Sequence, residues 1–161
     1  MVKNQNNKIT IITATLNEEF CIDSYLDYLD VINEKYGYMA ILIDGGSSDN
    51  TCSIIRKHKN IRLIEAPGTS IYQAWNIGLN NVTDSYYVVF LGVGDKISPT
   101  AFCQMYDKFG ISPPDVIYGD LKTAHGQKLK LSRKFINLNE SCWGHLPFPH
   151  SGTLFSLNLF N

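Results

Sequence analysis

The chain has 161 residues, 44% hydrophobic and 18% charged, with a formal net charge of −1; this is an ordinary globular make-up, long enough for one domain with a sizeable core. Lys and Arg are scattered, which leaves no electrostatic footprint for nucleic acid. No apolar run approaches the roughly 20 residues of a membrane span, and Met1 to Lys8 is polar, without the apolar core of a signal peptide, so a cytoplasmic location is expected.

In chain order, Lys8 to Thr13 (KITIIT) is a β-branched run that reads as a buried strand. After Ala14-Thr15-Leu16, Asn17 is positioned to cap a helix, with Glu18 and Glu19 in its first turn. Ile22, Tyr25, Leu26, Leu29 and Ile32 recur at helical spacing, and Gly37 marks the end. Met39 to Ile43 is a second strand, followed by the turn Asp44 to Asp49 (DGGSSD) and a helix over about 50–58. Ile61 to Ile64 is a third strand, Pro67-Gly68-Thr69 a loop, and Ile71 to Asn80 a helix. Tyr86 to Leu91 (YYVVFL) is a fourth strand ending in Gly92-Val93-Gly94-Asp95. Pro99 suits the start of a helix running to about Phe109, and Val116 to Tyr118 is a short strand.

Continuous apolar strands alternating with helices predict an α/β fold, a mostly parallel sheet covered on both faces. After 118 the pattern changes. Leu121 to Thr123 and Leu129 to Ser132, around Ala124 to Gln127, read as a hairpin, and the Lys-rich stretch from Lys122 to Lys134 as its solvated face. Cys21, Cys52, Cys103 and Cys142 have neither redox-pair nor zinc spacing and read as free, small hydrophobes. His145 and His150, five apart, lack the spacing of a helical zinc pair.

Ligands of open α/β sheets bind beyond the C-terminal ends of the strands. Those ends supply Thr13 to Asn17, Asp44 to Asp49, Glu65 to Ser70 and Gly92 to Asp95, all small, polar or acidic. Asp44 is placed to accept hydrogen bonds from a base or ribose, and the glycines after it let backbone approach a ligand. A plain strand–helix turn with Asp49 as the cap stands beside that reading. Asp95 is placed to hold a divalent cation that neutralises a diphosphate leaving group, with a glycine-rich turn as the structural alternative. No G-x-G-x-x-G follows the first strand, and neither a P-loop nor a G-x-S-x-G elbow occurs, which disfavours dehydrogenases, P-loop nucleotidases and α/β-hydrolases.

Four ordered blocks, ITIITATLNEE, ILIDGGSSDNT, IYQAWNIGL and YYVVFLGVGD, with DVIYGD and PFPHSGTLFS after them, resemble the family 2 glycosyltransferases of the GT-A fold, in particular polysaccharide-biosynthesis members. The resemblance implies a Rossmann-like GT-A sheet that binds a nucleoside-diphosphate sugar, often a uridine one. It would pass the sugar to a saccharide or lipid-linked acceptor hydroxyl with inversion. It implies a single domain over 1–161, with a donor-binding portion at about 8–118 and a partial acceptor-side region at 119–161. Thr13, Thr15, Asn17 and Glu18 would line the nucleotide pocket, Asp44 would face the base, and Ser47 belongs to the same motif while Asp49 organises the turn. Trp75, Asn76 and Gly92 would lie near the diphosphate and sugar, with Trp75 as core the alternative. His150 and Ser151 would close the donor or acceptor side. Peripheral association with the inner face of a membrane is compatible with this reading.

Two departures stand out. The acidic D-x-D-D of the family reads Gly92-Val93-Gly94-Asp95 here, so an Mg²⁺ or Mn²⁺ ion would be held through Asp95, partly by way of water. The family's general base follows the PFPHSGTLFS region, so it is expected beyond Asn161, in a chain truncated at its C-terminus. A donor-binding fragment without turnover is therefore the second reading. A sugar nucleotidyltransferase is the third, disfavoured because Thr13 to Asn17 has neither glycine nor a basic residue.

Overall fold

The computed structural model describes residues 9–100, 114–122, 126–129 and 150–160. In chain order these form β1 (Ile9–Thr15), α1 (Ile22–Tyr36), β2 (Met39–Asp44), α2 (Thr51–Ile55), β3 (Ile61–Glu65), α3 (Ile71–Asn80), β4 (Tyr87–Phe90), β5 (Val116–Tyr118), β6 (Leu121–Lys122), β7 (Lys128–Leu129) and β8 (Thr153–Ser156). Short 3₁₀ turns at His150–Gly152 and Leu157–Phe160 flank β8. A six-stranded sheet has the order β3-β2-β1-β4-β8-β5, and β6 pairs with β7 apart from it. β1, β2, β3 and β4 run parallel, whereas β8 lies antiparallel between β4 and β5.

The strands are apolar on both sides because both faces are covered. Ile9, Ile11, Leu42, Tyr87 and Val89 pack with Ile22, Tyr25, Leu26, Leu29 and Ile32 of α1 and Ile55 of α2. Their alternating neighbours Ile12, Ile41, Ile43, Val88 and Phe90 pack with Ala74 of α3. The helical spacing of α1 is thus its buried stripe. Gly37 ends α1 at φ 72, its amide bonded to the Asn33 carbonyl, as the left-handed cap expected of glycine. Ser70 and Gln73 form a reciprocal capping box on α3.

α1 and α2 lie on one face as the chain steps from β1 to β2 to β3. α3 returns it across the other face to β4. Strand order therefore reverses between β1 and β4, and the crevice beyond their C-terminal ends is the topological switch point where ligands of such sheets bind.

Three elements differ from the sequence reading. α1 starts at Ile22, not at Asn17, and α2 ends at Ile55, short of the span over 50–58. β8 was not foreseen as a strand: TLFS carries too few residues for a periodic signal, and its pairing is entirely non-local. Of the expected helix from Pro99 to about Phe109, only Pro99 and Thr100 are described, and both are helical. Cys103, Cys142, His125, His145 and residues 147–149 lie outside the described residues, as do 123–125 and 130–132 of the expected hairpin. β6 and β7 pair Leu121 with Leu129 and Lys122 with Lys128.

α3 sits unusually close to the sheet at Gly78. A Cβ there would meet Ile12 Cγ2 at 2.5 Å and Ile43 Cδ1 at 2.9 Å. Gly78→Ala should improve helix propensity by about 1 kcal/mol but cost more through overpacking, typically 1–3 kcal/mol. The expected result is a melting temperature lowered by roughly 2–6 °C, measured by calorimetric or circular-dichroism melting.

Candidate functional site

The centre of the site is the end of β2. Asp44 is only 1% exposed, and its carboxylate is surrounded by donors. Oδ1 accepts from Thr15 Oγ1 at 3.1 Å and Ser47 Oγ at 2.5 Å. Oδ2 accepts from the backbone amides of Gly46 at 3.0 Å and Ser47 at 2.7 Å. Burial opposes the charged form, but these hydrogen bonds, led by those from Ser47, outweigh it and hold the carboxyl below the usual carboxylate range. The Cys52 thiol also bonds to Asp44, and burial together with that carboxylate pushes it up to about 11.

The lowered carboxyl has a signed consequence. A group depressed on folding contributes stability that is fully present above its unfolded value, about 3.9 for Asp, and lost as pH falls through the folded value. Wild-type protein should therefore lose stability below about pH 4 more steeply than Asp44→Asn, as read by urea unfolding at a series of acid pH values.

The loop after β1 is zipped onto this turn. Asn17 adopts φ 55, a left-handed conformation that Asn tolerates. Its amide donates to Ser47 Oγ at 2.8 Å, and its Oδ1 accepts from the Ser48 amide at 2.9 Å. The Glu18 amide donates to Thr51 Oγ1 at 2.8 Å and the Glu19 amide to Asp49 Oδ2 at 3.1 Å. Asp49 Oδ1 accepts from the amide and hydroxyl of Thr51 at 2.9 and 2.5 Å. Glu19 Oε2 in turn accepts from the Asn50 amide at 3.1 Å. Asn17 therefore caps the neighbouring turn rather than α1, whose N-cap is Cys21. Asp49 likewise holds the turn and the first residue of α2.

Thr13 lies deeper. It is fully buried, and its hydroxyl is 2.7 Å from the Tyr25 hydroxyl of α1. Burial raises the Tyr25 phenol well above its usual value, so this pair is neutral. Thr15, Asn17, Glu18, Asp44 and Ser47 are brought together, while Thr13 supports them from the core.

The second half of the site lies at the end of β4, beside β1 in register Ile12 with Phe90. The Asp95 amide donates to the Gly92 carbonyl at 3.1 Å, and Asp95 Oδ2 accepts from the Gly92 amide at 3.0 Å. Ser151 Oγ donates to the same Oδ2 at 2.8 Å, which clasps the turn before β8 onto this loop. Tyr28 of α1 anchors the loop's far side by receiving the Ile97 amide at 2.7 Å and donating to the Ile97 carbonyl at 3.0 Å. Burial pushes that phenol up to about 12.

The clasp also sets His150 against α3. Its ring centroid is 5.1 Å from Trp75, which stands 4.8 Å from Phe90 and 5.5 Å, edge to face, from Tyr72. Trp75 Nε1 is buried and finds no acceptor among the described residues. Asn76 is exposed on α3 and stands outside both groups. Tyr72 and the Glu19–Asn50 link were missed by sequence reasoning; the signal for Tyr72 was its position three residues before Trp75 on one helix. Among the described residues, no group of three or more His, Cys, Asp or Glu stands together as a metal site.

The family described as "Glycosyl transferase family 2" matches residues 10–150. No curated protein matches the chain. Among solved structures, S. aureus TarS superposes with a TM-score of 0.72 at 19% identity, over 95% of this chain and 29% of that one. S. aureus TarS 1-349 in complex with UDP gives 0.71 at 18% identity, over 95% and 48%. The mannosyltransferase PcManGT from Pyrobaculum calidifontis, in complex with GDP-Man and Mn²⁺, gives 0.67 at 15%, over 94% and 45%. The likeness is one of fold, a Rossmann-like GT-A sheet, and the chain spans less than half the length of the chain in each of these three structures.

Proposed function

The chain belongs to glycosyl transferase family 2, and from that premise we propose that it binds a nucleoside-diphosphate sugar, UDP-linked, for transfer to a saccharide or lipid-linked acceptor hydroxyl with inversion. The observation that carries the reading is the hydrogen-bonded turn around Asp44 at the end of β2, one strand from the switch point of the sheet. The Thr15 and Ser47 hydroxyls that donate to its carboxylate rotate, whereas the Gly46 and Ser47 amides do not. A base N–H or ribose hydroxyl would take the place of the Thr15 or Ser47 hydroxyl, while the amides keep the carboxylate charged and aimed. Asn17, Glu18 and Ser47 would wall the nucleotide, with Thr13 supporting them. The diphosphate would lie along the Gly92–Asp95 loop, with Trp75 and Asn76 toward the sugar and His150 and Ser151 on the acceptor side. The donor-binding portion remains 8–118 and the acceptor-side region 119–161.

In the transfer itself the acceptor oxygen bonds to the anomeric carbon as the bond to the diphosphate oxygen breaks, and the acceptor proton passes to a general base. Charge growing on the diphosphate must be met by fixed donors or cations. The Mn²⁺-bound mannosyltransferase makes a divalent ion the natural comparison. Here such an Mg²⁺ or Mn²⁺ ion would find Asp95 with one oxygen already accepting from Gly92 and Ser151, and no group of three or more His, Cys, Asp or Glu stands around it among the described residues. A cation would therefore be held through Asp95, partly by way of water, and would add to the charge that meets the diphosphate. No described helix is long and apolar enough to cross a membrane, and we place the chain at the cytoplasmic face of one by peripheral association.

Titration calorimetry with UDP, GDP and dTDP, with and without Mn²⁺, tests the reading. UDP is expected to bind most tightly, and failure of all three to bind would remove it. Nucleotide binding without transfer to any acceptor would favour the donor-binding module. Uptake of a sugar phosphate with release of pyrophosphate would favour the nucleotidyltransferase.

A further inference from the structure

We infer that Tyr72, Trp75 and His150 form a stacking ledge for a pyranose ring, placed to receive the sugar beside the nucleotide pocket. The inference deepens the proposed function and rests on it for the position of the nucleotide. Three observations carry it. Tyr72 is 70% exposed, a large apolar ring facing solvent at the first turn of α3. It stands edge to face on Trp75, which also contacts the buried Phe90 and the exposed His150. The Trp75 indole N–H is a buried donor with no acceptor among the described residues, and a ring hydroxyl is an acceptor of the right kind.

The chemistry suits a sugar. A pyranose has a face of C–H groups and a rim of hydroxyls. Aromatic rings bury the first, while an indole N–H and an imidazole nitrogen serve the second. The ledge lies beside the Gly92–Asp95 loop because Ser151, next to His150, bonds Asp95. A diphosphate passing Gly92 would thus deliver its sugar to these rings, and a saccharide acceptor would reach the same rings from outside. Asp95 is a positioning residue in this picture: through Ser151 it keeps His150 against Trp75.

Calorimetry on the chain with UDP, UDP-glucose, UDP-N-acetylglucosamine and free methyl glycosides tests the ledge and separates its two sources of sugar. Tyr72→Ala and His150→Ala should weaken the UDP-sugars about tenfold and leave UDP itself unchanged. If the ring is the acceptor's, the same variants instead weaken the methyl glycosides and spare every UDP ligand. Trp75→Phe keeps a ring but removes the N–H, and should weaken the sugar ligands while the melting temperature holds. Asp95→Asn, which can still accept from Ser151, should keep sugar affinity, whereas Asp95→Ala and Ser151→Ala should lower it together. The ledge is overturned if the Tyr72 and His150 variants leave all sugar ligands unchanged, or weaken UDP as much as UDP-sugar. Normal UDP binding with silent ledge variants removes the ledge alone. Loss of UDP binding with ledge-dependent glycoside binding removes the donor reading alone. If no ligand binds, both fall.

Discussion

Asp44→Ala is expected to be the most damaging single substitution at the site, lowering stability by about 2–5 kcal/mol and nucleotide affinity at least tenfold. The size follows from what the carboxylate leaves behind. It is 1% exposed and accepts from Thr15, Gly46 and twice from Ser47. Removing it strands two backbone amides that cannot turn toward water, each an unmet donor. The Ser47 hydroxyl also receives the Asn17 amide, so the loop after β1 loses its seat in the same step. Asp44→Asn preserves the shape but sets an NH₂ against a ring of donors, and should fall between wild type and alanine. Urea unfolding gives the stability and calorimetry with UDP the affinity. If Asp44→Ala melts like wild type, the turn does not depend on its carboxylate.

Gly46→Ala is expected to be the second most damaging change, costing about 2–4 kcal/mol. Gly46 sits at φ 104, a conformation that costs a side chain strain wherever it occurs. A Cβ there would also meet Cα and Cβ of Pro67, both at 3.3 Å. Pro67 has little freedom to yield, because its neighbour Gly68 is bonded to the Gly45 carbonyl at 2.9 Å, which joins the loops after β2 and β3. Gly45→Ala is the matched control. It carries no positive φ, and its Cβ would meet only ordinary contacts at 3.5 Å and beyond. Thermal melts of the two variants should separate by several degrees, and equal melts would show that the turn relaxes freely.

Much of the fold is legible in the sequence because it is local. Ile22, Tyr25, Leu26, Leu29 and Ile32 repeat at helical spacing, and all five are buried on one face of α1. MAILI and YYVVFL are continuous apolar runs, as strands covered on both sides must be. Less legible were features fixed by distant partners. β8 owes its existence to β4 and β5 on either side. Asn17 looked like a cap of the helix following it, since Asn before two acids is a common start signal. Its side chain instead serves a turn 31 residues away, which no local pattern encodes. The candidate site shows the same division. The strand ends pointed to Asp44, Ser47, Gly92 and Asp95, but not to Ser151 as the partner of Asp95, nor to His150 and Tyr72 as neighbours of Trp75. The Ser151 and His150 pairings come from β8 entering the sheet beside β4, while that of Tyr72 with Trp75 is local to α3.

We propose that the nucleotide binds beyond the ends of β1, β2 and β4. Amide hydrogen exchange with and without saturating UDP reads its position directly. Binding there predicts slowed exchange at the amides of 15–19, 44–49 and 92–95, with β6 and β7 unchanged. UDP binding that protects other segments and leaves those three at their free rates would contradict it.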